Sequence, residues 1–160
     1  AAAELAEVPR LGQAERDILT LAVCAHDVVY RAAPGTDERA SAEWARMRLT
    51  AAGLDRAPVE RVAAAVLATA GHRPTGDPVV DCLLDADLAI LAAPPPAYDR
   101  YVEDVRAEYG ALDDRSWAQG RRRLLTTLRD RRPLFLTEPG RRRWEETARG
   151  NLERELSLIG

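Results

Sequence analysis

The chain has 160 residues and no lysine; its 23 basic side chains are all arginine. Alanine is correspondingly abundant, and the two together read as the coding bias of a GC-rich genome rather than as a functional choice of Arg over Lys. Cysteine is scarce. Cys24 and Cys82 both sit in apolar runs, so both are expected to be reduced core residues, which excludes a disulfide scaffold. Histidine is equally scarce, with His26 and His72 alone. No uninterrupted apolar window reaches about 18 residues, so no membrane span is expected. No strand-like alternation, internal repeat or low-complexity tract occurs. A net charge of −3 excludes a coat for nucleic acid and gives no strongly anionic surface.

What remains is an ordinary globular balance, 46% apolar and 31% charged, in a chain long enough to bury one core. Charge is mildly divided. Residues 1–100 carry 10 Arg against 15 acids, and residues 101–160 carry 13 against 11, a small excess that favours anionic ligands only weakly. The chain begins AAAELAEV, without Met, and reads as the interior of a helix. A preceding segment is therefore expected.

The apolar spacing is helical nearly throughout. A helix over residues 13–30 is followed by the turn PGTDE, where Asp37 is placed as N-cap of a helix over 38–52 that Gly53 closes. Pro58 opens a helix with Val59, Val62, Ala63, Val66 and Leu67 on one side, ending before Gly71. A central apolar helix over 78–92 is broken by Pro94, Pro95 and Pro96, and further helices run to Tyr109, over 114–131 and over 140–159. The last carries Trp144, Ala148, Leu152, Leu156 and Ile159 on one stripe. The fold expected is all-α, a compact single-domain helical bundle over residues 1–160.

Two stretches break the pattern. In LAVCAHDVVYR, residues 21–31, His26 and Asp27 interrupt an apolar run. In DCLLDADLAIL, residues 81–91, helical spacing puts Asp87 on one face with Val80, Leu83, Leu84, Ile90 and Leu91, whereas Asp81 and Asp85 share another. An unpaired carboxylate in such a place is costly, so Asp87 needs a metal ion, an Arg or a His beside it. Imidazole with carboxylates suits Zn, Fe, Mn, Co or Ni better than Ca. The plainer alternative is a core salt bridge, with Arg106 or Arg121 as partner. Arg121 lies on the Trp117, Leu124, Leu128 face, and the other arginines of 121–123 and 141–143 are expected on solvated faces.

In order along the chain, LAVCAHDVVYR, TDERASAEWA, LATAGH, LLDADLAIL, YDRYVEDVRAEY, GRRRLLTTL and WEETARGNLEREL resemble the HD-domain superfamily of metal-dependent phosphohydrolases. The nearest likeness is to its small single-domain bacterial members. The resemblance implies one divalent metal ion (Mn, Fe, Co, Ni, Zn or Mg) held by His26, Asp27 and Asp87. It implies a metal-activated water attacking a small phosphomonoester or nucleotide, with Asp27 orienting or deprotonating that water. Glu38 resembles an acidic position of the group that serves as general acid or base; first-turn electrostatics of its helix is the plainer role. His72 is a candidate catalytic residue, contacting the phosphate or a second metal. Arg106 and Arg121 are candidate phosphate clamps. The family's first metal-binding His has no counterpart, and the resemblance places it upstream of residue 1.

The partner expected is a small phosphorylated substrate, with no nucleic-acid polymer and no membrane, self-association left open and the cytoplasm as location. The competing reading is a catalytically inactive HD-like domain that regulates or binds a ligand. A plain helical interaction module requires Asp87 to pair with an Arg.

Overall fold

A computed structural model describes residues 11–31, 33 and 35–159. The helix expected from AAAELAEV lies outside the described residues. Among the described residues there are seven α-helices, one 3₁₀ turn and no strand, so the fold is all-α. The helices are α1 (Gln13–Ala25), α2 (Asp37–Ala51), α3 (Arg56–Ala68), α4 (Pro78–Leu88), α5 (Pro95–Glu108), α6 (Asp114–Asp130) and α7 (Glu138–Leu158), with the 3₁₀ turn at Ala89–Ala92. None is long and apolar enough to cross a membrane. The chain divides into two compact units, Ala1–Asp87 and Leu88–Gly160.

In the first unit α3 packs against both α1 and α2. The contacts are made with small and β-branched residues. Ala22, Ala42, Ala45, Val62, Ala63, Ala65 and Val66 are all fully buried, and so many alanines let helix backbones approach closely. Two of its helices start on a side-chain contact to the backbone. Glu15 reaches back to accept the Gly12 N–H at 2.9 Å ahead of α1, and Asp77 accepts the Val79 N–H at 2.8 Å ahead of α4. Gly53, at φ 84°, provides the left-handed turn that ends α2. Asp37 is not the N-cap of α2. Thr36 occupies that position, and Asp37 begins the helix proper, buried.

Helix α1 ends at Ala25, five residues short of the expected end; His26 is its C-cap, with helical dihedrals and its N–H still bonded to the Ala22 carbonyl, and a turn follows. Cys24 is exposed, against the expectation of a core cysteine. The buried stripe of α1 is Ile18, Leu19, Ala22 and Ala25, and Cys24 falls off it. Cys82 is buried as expected, and burial pushes its thiol up to about 11. Such a thiol is inert near neutral pH.

In the second unit α7 packs on α6 and on the 3₁₀ turn. Asp113 caps α6 by accepting the Ser116 N–H at 2.9 Å, and Thr137 caps α7 through the Gly140 N–H at 3.1 Å. Asn151 donates to the carbonyls of Leu91 and Ala93, each at 2.9 Å, which satisfies the backbone where the 3₁₀ turn ends. At the centre lies a buried ion pair. Arg121 Nε donates to Glu155 Oε1 at 2.7 Å and Nη2 to Oε2 at 3.1 Å, and the Tyr98 hydroxyl donates to Oε2. The guanidinium also stands 5.4 Å from the Tyr101 ring centre and 5.9 Å from that of Trp117.

A buried pair of this kind is destabilised more by losing one partner than by losing both. Glu155→Leu is expected to lower stability by about 3–5 kcal/mol, and Arg121→Met with Glu155→Leu to recover much of that. Urea denaturation of the two single variants and the double variant measures the difference.

Candidate metal centre

Both histidines of the chain converge on one carboxylate. His72 Nε2 lies 2.9 Å from Asp87 Oδ2, and His26 Nε2 lies 3.6 Å from Asp87 Oδ1. Among the described residues the side chains paired with Asp87 are two imidazoles, where a plain interaction module requires an Arg. All three residues belong to the first unit.

The termini of three helices position them. His26 is the C-cap of α1, and its Nδ1–H donates to the Val23 carbonyl at 2.8 Å. That bond decides the tautomer. A carbonyl only accepts, so Nδ1 carries a proton, and in the neutral ring Nε2 is a lone pair aimed at Asp87. His72 follows α3 in a tight turn in which its N–H donates to the Ala68 carbonyl at 3.1 Å. Asp87 is the penultimate residue of α4.

The electrostatics follow from this packing. The Asp87 carboxylate opposite raises the His26 pKa, with burial opposing and the Val23 carbonyl and Asp27 adding to the rise. For Asp87, burial alone favours the neutral acid, but the two imidazoles outweigh it and hold the carboxyl well below the usual carboxylate range. Oδ1 therefore stays ionised across the neutral range and faces a nitrogen that wants either a proton or a cation.

The His26–Asp87 edge supplies two donors, fewer than the three or four protein ligands usual at a metal site. Donor atoms about 2.0–2.2 Å from a shared ion stand somewhat over 3 Å apart, whereas a direct N–H···O bond is shorter. At 3.6 Å the His26–Asp87 pair is longer than a hydrogen bond. The Val23 bond on Nδ1 is the outer-shell contact that metal-ligating histidines commonly make. Among the described residues, no three or more His, Cys, Asp or Glu side chains are arranged to hold an ion. The donors facing one another are two, His26 Nε2 and Asp87 Oδ1.

The remaining candidates are placed differently. Asp27 is exposed beside His26 and close enough to act on its charge. Glu38 accepts the Gly35 N–H and so ties down the approach to α2. Arg106 donates to the carbonyls of Tyr109 and Leu112, each at 3.1 Å, and to Asp114 at 2.8 Å, which fastens the loop between α5 and α6. Arg121 belongs to the Glu155 pair. Both arginines lie in the second unit and are engaged by protein acceptors.

Two carboxylates matter more than helical spacing indicates. Asp85, not Asp87, is the most enclosed acid of α4, with 1% exposure against 30% for the Asp87 side chain. The face assigned to Asp87 runs through Ile90 and Leu91, but α4 tightens into a 3₁₀ turn at Ala89 and Ile90 is exposed. Asp37 was missed as a clamp. Its Oδ2 accepts the Arg31 and Ala33 N–H groups at 2.8 and 2.9 Å, while the Ser41 hydroxyl accepts the Val29 N–H at 3.1 Å. The segment that follows the His-Asp doublet is thus fastened to the start of α2. Asp37 Oδ1 is buried without a hydrogen-bond partner. The pattern D-x-x-x-S at a helix start was the available signal.

No protein-family model, curated protein or solved structure matches the chain.

The His26 shift has a definite sign. A raised His contributes stability that is complete below its unfolded value of 6.5 and lost as pH rises through the folded one. A lowered Asp contributes stability present above 3.8 and lost as pH falls. The metal-free protein is therefore expected to gain most from this pair between those values. Urea midpoints at pH 5.5 and pH 8.5 in chelator, compared with those of His26→Ala, test this; an equal pH dependence in the two proteins contradicts it.

Proposed function

We propose that the chain is a divalent-metal-dependent phosphohydrolase of the HD-domain kind, acting in the cytoplasm on a small phosphomonoester or nucleotide. The observation that carries the reading is the open edge between His26 Nε2 and Asp87 Oδ1. There, a tautomer set by Val23 and an ionised carboxylate present two donors to one point.

In this reading His26 Nε2 and Asp87 Oδ1 hold the ion, and Asp27 lies beside them. A divalent ion bound there supplies a positive charge for phosphoryl oxygens and lowers the pKa of water at the site. The exposed Asp27 carboxylate orients the attacking water and takes its proton. Asp37 and Ser41 keep the segment after the doublet in place, so that Asp27 is presented from a fastened turn. Glu38 serves chiefly in that fastening, through Gly35. Because Arg106 and Arg121 are engaged within the second unit, binding of the phosphate falls to other groups. Arg31 and Arg73, exposed and near the cluster in sequence, are the first to examine.

That engagement also keeps a second reading in view, an HD-like domain that binds a ligand without turnover. Elemental mass spectrometry of the purified protein, followed by a phosphomonoester and nucleotide screen with the ion found, separates the two. About one equivalent of Mn, Fe, Co, Ni or Zn is expected, with binding lost in His26→Ala and in Asp87→Ala. Undiminished metal in both variants would sink the proposal. Metal without turnover across the screen selects the non-catalytic reading.

A further inference from the structure

Helix α2 carries a second apolar stripe, apart from the one it buries. Its buried residues are Asp37, Ser41, Ala42 and Ala45. Ala40, Trp44, Met47 and Ala51 recur at spacings of four, three and four. At about 100° per residue they share an arc of about 60°, and that arc lies about a third of a turn from the buried side. Ala40 and Trp44 are only half-buried, Ala51 is exposed, and Met47 is 58% exposed.

This spacing is that of a seam along which two helices pack side by side. The flanks of such a seam set its partner, and here they have opposite signs. Glu43 and Arg48 stand about 70° to either side of the stripe. Glu43 is exposed and meets Arg46 at 3.5 Å, while Arg46 turns mainly to Glu60, at 3.1 Å. Arg48 is exposed too. Its guanidinium stands 5.7 Å from the Trp44 ring centre, and among the described residues no carboxylate pairs with it.

A stripe with an acid on one flank and a base on the other is complementary to itself. When two copies lie parallel about a two-fold axis, the acidic flank of each meets the basic flank of the other. A flanking residue then reaches the one about five positions further along the opposite helix, which is the step from Glu43 to Arg48. Antiparallel pairing sets Glu43 against Glu43 and Arg48 against Arg48, and is disfavoured. Trp, Met and Arg are also the residue types enriched where proteins meet.

We propose that α2 is a self-association surface: two copies of the chain pack parallel along Ala40, Trp44, Met47 and Ala51, with Glu43 of each copy paired to Arg48 of the other. The seam spans only about three helical turns, so the dimer is weak and forms by mass action.

Sedimentation equilibrium of the whole chain at rising concentration tests it. The wild type is expected to pass from monomer to dimer below about 1 mM. Residues 43, 47 and 48 are exposed, so Met47→Glu, Glu43→Arg and Arg48→Glu are expected to keep the wild-type helical content by circular dichroism. Met47→Glu places a charge in the seam and is expected to weaken association about tenfold or more. Each single charge reversal sets like charges opposite each other at both symmetry-related pairs and is expected to weaken it as well. The double variant, Glu43→Arg with Arg48→Glu, remakes both pairs with reversed polarity and is expected to regain most of the affinity. An equimolar mixture of the two single reversals is expected to associate more tightly than either alone, because each supplies the charge that the other lacks. A wild type still monomeric at about 1 mM overturns the proposal. So does a dimer that Met47→Glu leaves unchanged, which places the interface elsewhere. A double variant and a mixture that associate no better than the single reversals overturn the parallel pairing.

Discussion

A carboxylate in a partly dry place must be surrounded by protons or positive charge, and this chain has no lysine with which to do it. At Asp87 the need is met by both of its histidines, brought from the ends of two other helices. The first unit is organised around that convergence. His26 caps α1 and His72 follows α3 in a left-handed turn, and from these positions both rings face Asp87. The segment between α1 and α2 is fastened by Asp37 and Ser41, so the doublet does not drift from its position.

The second unit meets the same need in another way. Glu155 is more deeply buried than Asp87, yet Arg121 takes both of its oxygens and Tyr98 adds a further donor. Every lone-pair direction of consequence is answered by a permanent donor, and the guanidinium is flanked by two aromatic rings. Such a pair has nothing left to offer a ligand. Asp87 differs in one respect: one of its oxygens looks at an atom that is a donor only when protonated. A closed network stabilises or specifies a fold, while an open edge between a carboxylate and an imidazole lone pair can exchange a proton for an ion.

Much of this was legible in the residues. Helical spacing together with Pro58, Pro94–Pro96 and Gly53 located most helix ends within a few residues, because proline and glycine act on the backbone directly. His26 and Asp87 were singled out as polar residues on apolar faces, and the structure puts them opposite each other. Arg121 was read as inward-pointing, and it is. What failed did so for local reasons. A wheel of constant pitch cannot anticipate the 3₁₀ turn at Ala89, so Asp85 was ranked below Asp87 in enclosure. Cys24 lies within α1 but off its buried stripe, so an apolar run around it did not make it a core residue. The partner of His72 was hidden because its reach depends on a positive φ, which no residue pattern in AGHRP announces.

His72 stands in a left-handed turn, a conformation that histidine adopts more readily than most residues with a Cβ. From there it answers Asp87 Oδ2 at 2.9 Å, while His26 stands 3.6 Å from Oδ1. Without the His72 ring a part-buried carboxylate would have one imidazole fewer to answer its charge, and keeping it ionised would cost more. The ionised state of Asp87 therefore depends on both rings together.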